Sequence, residues 1–367
     1  MAMRTAAIAL VIIFVLSGTC LGEQPGRLVT STELADPRLR LPMSGDAWLQ
    51  QTATVRLAAG PNATAFAFGA LEIPLDKLEL DITDPAGAVE ITDTAIAPED
   101  GGSILWQLSA AQNCAATMEI AFPLKGIEWR CEYDLSLPID PAKVDINAWA
   151  VITNRSKLEF PWAQLTLPGG HPLSAQLIQN ETVKLPLFSA TGLACAPAFV
   201  YDPAKYKGDV TAVLRLLRDG QDVFSARGVP AGKLTIHSPG PPTTYLGEDT
   251  LPYLAPSERV DVRLGIVPEV TVARKVVKST QVEPKTDVRN KLVLFHQDDE
   301  IEFEIKNMRK TALRLEVRDR IPGDWKMVKH SDPFEREDGE TIRFDLEVGP
   351  GATRKVTYTA RRMNLEP

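Results

Sequence analysis

Histidine and cysteine are scarce in this chain, with four of each in 367 residues. His171, His237, His296 and His330 fall in no HxH, HxxxH or HExxH spacing, so no histidine metal site is written locally. Cys20, Cys114, Cys131 and Cys195 form no CxxC pair and no Cys/His zinc pattern. A GxSxG elbow, a glycine-rich phosphate loop and an SxxK motif are also missing. Motifs therefore assign no catalytic, cofactor-binding or metal-binding residue, and no cofactor is expected. Clustered Lys and Arg are lacking in a chain of net charge −8, which argues against a nucleic-acid partner. Helical periodicity is missing as well: past the first residues, no apolar pattern holds a helical period beyond about two turns.

What is present is ordinary globular material, 44% hydrophobic and 24% charged, in a chain long enough for two or three domains. Its 28 prolines exceed average usage. The one long apolar run lies at the start. Arg4 supplies a positive n-region, Ala6 to Leu16 an h-region, and Ser17 to Gly22 the small residues of a cleavage site. That run is too short to span a bilayer comfortably. Residues 1–22 are thus expected to be a cleaved signal peptide, with the mature protein exported and lacking a transmembrane segment. Cys20 as a lipid-bearing residue fits poorly, because Ser17 and Thr19 stand where a lipoprotein site has Leu and a small residue.

Export permits disulfides, but three cysteines in the mature chain leave at least one thiol unpaired. Cys114 and Cys131, on successive predicted strands, are the pair considered. Three buried small hydrophobes are the alternative.

The residues that are there alternate. Ile301, Phe303 and Ile305 interleave with Glu302, Glu304 and Lys306, and Leu313, Leu315 and Val317 with Arg314, Glu316 and Arg318. Period-2 alternation makes one face core and the other solvent. Met308 to Thr311 between the two runs is short enough for a hairpin. Ile342, Phe344, Leu346 and Val348 repeat the pattern, and Val356 and Tyr358 close it. Earlier strands are read at Thr52–Leu57, Ala63–Phe68, Ile104–Leu108, Ala116–Phe122, Glu128–Leu137 and Val144–Thr153. Pro74–Leu80 is left between strand and helical turn. Tyr206 to Gly220 is read as strand, with Asp219-Gly220 turning into a further strand at Asp222–Ala226.

The expected fold is all-β: consecutive β-sandwich-type domains, the C-terminal one immunoglobulin-like. The divisions are 1–22 (signal peptide), 23–180 (N-terminal β-rich), 181–268 (middle β-rich), 269–361 (C-terminal sandwich) and 362–367 (tail).

The stretch around Tyr133 to Gly170, EYDLSLPIDPAKVDINAWAVITNRSKLEFPWAQLTLPGG, carries a resemblance. So, in order, do ETVKLPLFSA at 181–190, FVYD at 199–202, VPAGKLTIHSP at 229–239 and TYLGED at 244–249. RDRIPGDW at 318–325 and the closing IRFDLEVGPGATRKVTYTAR complete it. Together they resemble the family called domain of unknown function 4139, the C-terminal region of mucoidy-inhibitor-A-like bacterial proteins. The resemblance implies a β-rich fold in an exported bacterial setting, and it carries no catalytic residues. The coiled coil usually found in such proteins has no heptad pattern here.

Four groups of residues are weighed as sites. Pro168-Gly169-Gly170-His171-Pro172 reads first as a turn, on an exposed loop. Gln297-Asp298-Asp299-Glu300 with Glu302 lacks a calcium-loop pattern and reads as the solvated start of a strand. Asp81, Asp84, Asp93, Glu99 and Asp100 read as loop carboxylates. Trp106, Trp129, Trp149, Trp162 and Trp325 would make a sugar-stacking surface if exposed, but read mostly as core. The functional expectation is a non-enzymatic envelope protein, a binding or structural module for a partner protein or surface polymer. The alternative is a secreted hydrolase of polysaccharide or peptide.

Overall fold

The structure is a computed structural model that describes residues 27–30, 34–68, 71, 73–96, 102–139, 142–217 and 223–367. The leader with Cys20, and Glu99, Asp100, Asp219 and Gly220, lie outside them. The protein is all-β. Its first strands are β1 (Arg27–Thr30), β2 (Ala35–Arg40), β3 (Ala47–Leu57), β4 (Gly60–Ala67), β5 (Glu79–Asp84), β6 (Val89–Ile96), β7 (Ser103–Ala110) and β8 (Cys114–Leu124). There follow β9 (Ile127–Ser136), β10 (Lys143–Asn154), β11 (Phe160–Leu167), β12 (His171–Leu177), β13 (Thr182–Tyr201), β14 (Val210–Leu216), β15 (Gly232–His237), β16 (Tyr245–Leu251) and β17 (Val260–Ile266). The last are β18 (Val270–Thr286), β19 (Leu292–Asn307), β20 (Leu313–Arg320), β21 (Trp325–His330), β22 (Glu335–Arg336), β23 (Thr341–Val348) and β24 (Thr353–Leu365). No helix among the described residues is long and apolar enough to cross a membrane.

Four sheets make the sandwiches. In the first, β1-β4-β7-β6 faces the six-stranded sheet β12-β11-β2-β3-β8-β5. Strand β3 shows why: Leu49, Ala53 and Val55 are buried while Trp48, Thr54 and Arg56 alternate outward. Its inward residues join Phe66, Trp106, Met118 and Phe122 in one core, each large side chain contributing about 1.5–3 kcal/mol on burial. A second core gathers Tyr133, Ile146, Phe188, Leu214, Leu234 and Val262. Strands β9 and β10 serve both, Ile127 and Ile152 belonging to the first and Tyr133 and Ile146 to the second.

In the C-terminal sandwich, β18-β19-β24-β21 packs against β20-β23-β22. Phe303, Ile305, Leu313, Leu315, Val317, Phe344 and Leu346 share its core, as the alternation predicts. The second sheet is completed from the preceding region, because Leu315–Val317 of β20 pairs in parallel with Phe199–Tyr201 of β13. Tyr201 and Val210 enter the same core.

Several local expectations are corrected. Met308–Thr311 is not a hairpin: β19 pairs with β18 and β24, and β20 with β23 and β13, so the chain arches from one sheet to the other. Buried Asn307 holds the arch, its Nδ2 donating to the carbonyls of Thr311 (3.0 Å), Val348 (3.1 Å) and Gly349 (2.9 Å). Asn154 plays the same part after β10, donating to Leu158 (2.8 Å) and Leu177 (3.0 Å). Alternation fixes which face is buried but not which strand is the neighbour. The strand read over Tyr206–Gly220 is present as β14, but Tyr206 itself ends a helical turn (Pro203–Tyr206) capped by Asp202, and Val223–Ala226 is a short helix where strand was expected. The stretch from Leu75 to Lys77 is a 3₁₀ turn leading into β5. The tail from residue 362 continues β24 as far as Leu365. Cys114, Cys131 and Cys195 are free thiols. Although β8 and β9 succeed each other in sequence, they sit in different sheets.

Candidate functional site

None of the four weighed groups forms a site as a group, although Asp81 and Trp162 line depressions described below. His171 is buried at the start of β12, not exposed on a loop, and its ring stacks on Phe188 at 5.3 Å. Its Nε2 donates to the Gly228 carbonyl at 3.1 Å. Burial holds the imidazole below its ordinary pKa, against the opposing pull of that hydrogen bond. A side chain at Gly169 would strike the Gly228 oxygen at 2.3 Å, so the turn is built for close packing.

The acidic run lies within β19, an interior strand, and not at a strand start. Arg361 pairs with Asp298 (2.6 Å), Arg362 with Asp299 (2.9 Å) and Lys355 with Glu302 (3.1 Å). No group of three His, Cys, Asp or Glu residues suited to a metal occurs among the described residues. Asp81 and Asp84 lie on β5 and Asp93 on β6, not in loops.

Trp106 and Trp325 are core residues, as expected. Trp129 is half-buried and donates to the Pro42 carbonyl at 2.7 Å. Trp149 donates to Asp134 at 2.8 Å under the Lys184 ammonium. Trp162 is different, at 63% exposed.

Two of the open depressions among the described residues have strongly charged linings. One, of about 600 Å³, lies where the middle and C-terminal regions meet, lined by Phe199, Arg215, Arg314, Glu316, Asp345 and Glu347. Its central charges are already committed. Arg215 of β14 bonds Asp261 of β17 at 2.8 and 2.9 Å and reaches past β13 to Glu316 of β20 at 2.5 and 2.9 Å. Arg318 links Glu316 (3.2 Å) to Glu337 (2.7 Å), and Arg343 takes up Glu337 at 3.0 Å. Glu316, Arg318 and Arg343, read as water-facing from the alternation, are only 14–16% exposed because they cover one another. Burial alone would raise Asp261 and Glu316, but the Arg215 hydrogen bonds outweigh it and hold both below the usual carboxylate range. This is a tie between two regions of the fold.

The other depression, of about 530 Å³, lies on the outer face of the six-stranded sheet. Its residues come from five strands. Gln164 of β11, Arg38 of β2, Gln50 of β3, Ala121 of β8 and Glu79 of β5 are register partners in turn. The row beside it runs Thr166, Arg40, Trp48 and Pro123, and the row on the other flank Thr52, Glu119 and Asp81. Five strands at about 4.8 Å spacing span about 19 Å. Gln50 Nε2 donates to Glu119, with Arg38 3.6 Å from the same carboxylate. Among the described residues, the side chains of Arg40, Gln164, Glu79 and Asp81 make no hydrogen bond or ion pair. Polar groups arrayed in a depression without internal partners are what a ligand-binding surface presents.

An adjoining depression of about 680 Å³ shares Gln164 and is lined by Trp162 and Gln51. Gln51 is 6% exposed, and its side-chain carbonyl has no partner.

Of these residues the sequence singles out only Trp162 and Asp81, because the others sit in ordinary alternation. Only the sheet order joins residues 38, 48, 79, 119 and 164. The one available sequence signal was Trp48 on the outward phase of its strand.

Every described carboxylate whose titration is displaced is displaced downward, by cations, side-chain partners or backbone N–H groups. Compared with family models, curated proteins and solved structures, the chain matches none.

Proposed function

We propose that this is an exported bacterial envelope protein that binds a surface polymer through its first sandwich and does no chemistry on it. The signal-like residues 1–22, the resemblance to the domain of unknown function 4139 family and the β-sandwich scaffold support the setting. The observation that carries the binding role is the groove across β11, β2, β3, β8 and β5, in which Arg40, Gln164, Glu79 and Asp81 make no side-chain hydrogen bond or ion pair among the described residues.

Sedimentation with purified peptidoglycan sacculi and with insoluble polysaccharides tests the reading, with the supernatant assayed for released fragments. Retention without released sugars or peptides, lost in Trp48→Ala, is the expected result. Release of reducing ends or peptides would make it a hydrolase instead. Protein recovered outside the cytoplasm should begin at Glu23, and a lipid-bearing Cys20 as first residue would overturn ordinary cleavage.

A further inference from the structure

Resting on that reading, we infer that the groove takes an uncharged glycan chain, laid diagonally over the sheet from Trp48 towards Trp162. The chemistry of the lining selects this class. Arg38 and Arg40 only donate, while Glu79, Asp81 and Glu119 only accept. A sugar hydroxyl does both, so it can be satisfied anywhere along such a surface.

A charged polymer cannot. A polyanion meeting the arginines of β2 would lie beside three carboxylates on β8 and β5, and a polycation drawn to those carboxylates would meet the arginines. With two cations against three anions, the groove is nearly balanced and gives little attraction to either. A neutral, hydroxyl-rich chain is repelled nowhere. An extended peptide is matched to a free sheet edge, where backbone groups are open, and not to the face of a paired sheet.

Two aromatic platforms set the path. Trp48 is half-buried at one end of the depression, with Arg40 as its register partner. Trp162 is 63% exposed at the mouth of the adjoining depression. On the strand register they lie about 13 Å apart along the strands and about 10 Å across them. Gln50, Arg38 and Gln164 occupy the ground between. An indole face packs against the apolar C–H face of a sugar ring, while planar amide and guanidinium groups take neighbouring hydroxyls in pairs.

The test uses the intact mature protein and isothermal titration against three oligosaccharide sets: neutral gluco-, xylo- and manno-oligosaccharides, oligogalacturonate, and chitosan oligomers. At least one neutral set should bind, with less than about twofold change between about 50 mM and about 500 mM salt. Trp48→Ala and Trp162→Ala should each weaken that binding about tenfold with an unchanged melting temperature. Trp162 is exposed, so its variant tests the site even if Trp48→Ala disturbs the sheet. Preference for oligogalacturonate or chitosan, falling steeply with salt, would overturn the neutral-glycan inference and leave the binding role standing. Failure of all three sets, while sacculi still retain the protein through Trp48, would overturn it equally. Failure of all three with no retention on any polymer would remove the binding role as well.

Discussion

Arg215→Ala offers the sharpest test of how the middle and C-terminal regions are held together. The guanidinium makes four hydrogen bonds, two to Asp261 and two to Glu316, and all three side chains are only 12–16% exposed. Truncation leaves two shielded carboxylates without their shared cation. Breaking a buried pair costs about 3–5 kcal/mol, and the residual solvent contact here places the expected loss near the lower end, about 3 kcal/mol. Urea is the denaturant of choice, since guanidinium would screen the very interaction in question. Trp325, in the C-terminal core, reports that sandwich by fluorescence. The pH dependence supplies a second reading. Asp261 and Glu316 titrate below their ordinary range, so their stabilisation is complete above the unfolded values near pH 4 and is lost as pH falls through the folded ones. Arg215→Ala should therefore lack this acid limb, and its deficit against the parent should shrink as pH falls through the lowered folded-state values. The triple variant Arg215→Met, Asp261→Asn, Glu316→Gln should come back to within about 1 kcal/mol of the parent. A loss under about 1 kcal/mol for Arg215→Ala at neutral pH, with the acid limb intact, would refute the reasoning.

Phe344→Ala should cost about 3–5 kcal/mol in urea unfolding, since the ring is fully buried and lies 5.9 Å from Tyr358. Arg314→Ala on the neighbouring strand should cost under about 1 kcal/mol, because that side chain is exposed and unpaired among the described residues. Asn307→Ala should cost about 2–4 kcal/mol, as three carbonyls at the arch lose their donor. An equal and small effect at Asn307 and Arg314 would mean that the arch does not depend on that side chain.

The amino-acid sequence by itself determined the secondary-structure class and the facing of the strands. Ile301 to Ile305 and Leu313 to Val317 alternate so strictly that any other register would put charge in the core, and all these apolar residues are buried together. The tertiary structure decided everything that depends on which strands are neighbours. Met308–Thr311 has the length of a hairpin, yet Asn307 gathers carbonyls from two separate segments and turns the chain into the opposite sheet. Glu316 and Arg318 alternate as solvent-facing charges, but the arrival of β13 and β14 beside β20 supplies Arg215 and closes them off. The groove is the extreme case. Arg38, Trp48, Glu79, Glu119 and Gln164 are spread over more than 120 residues, each an unremarkable outward position of its own strand. A strand's sequence encodes its two faces through the period of the backbone, whereas its neighbours are chosen by the packing of the whole chain, and a surface built across five strands exists only once that choice is made.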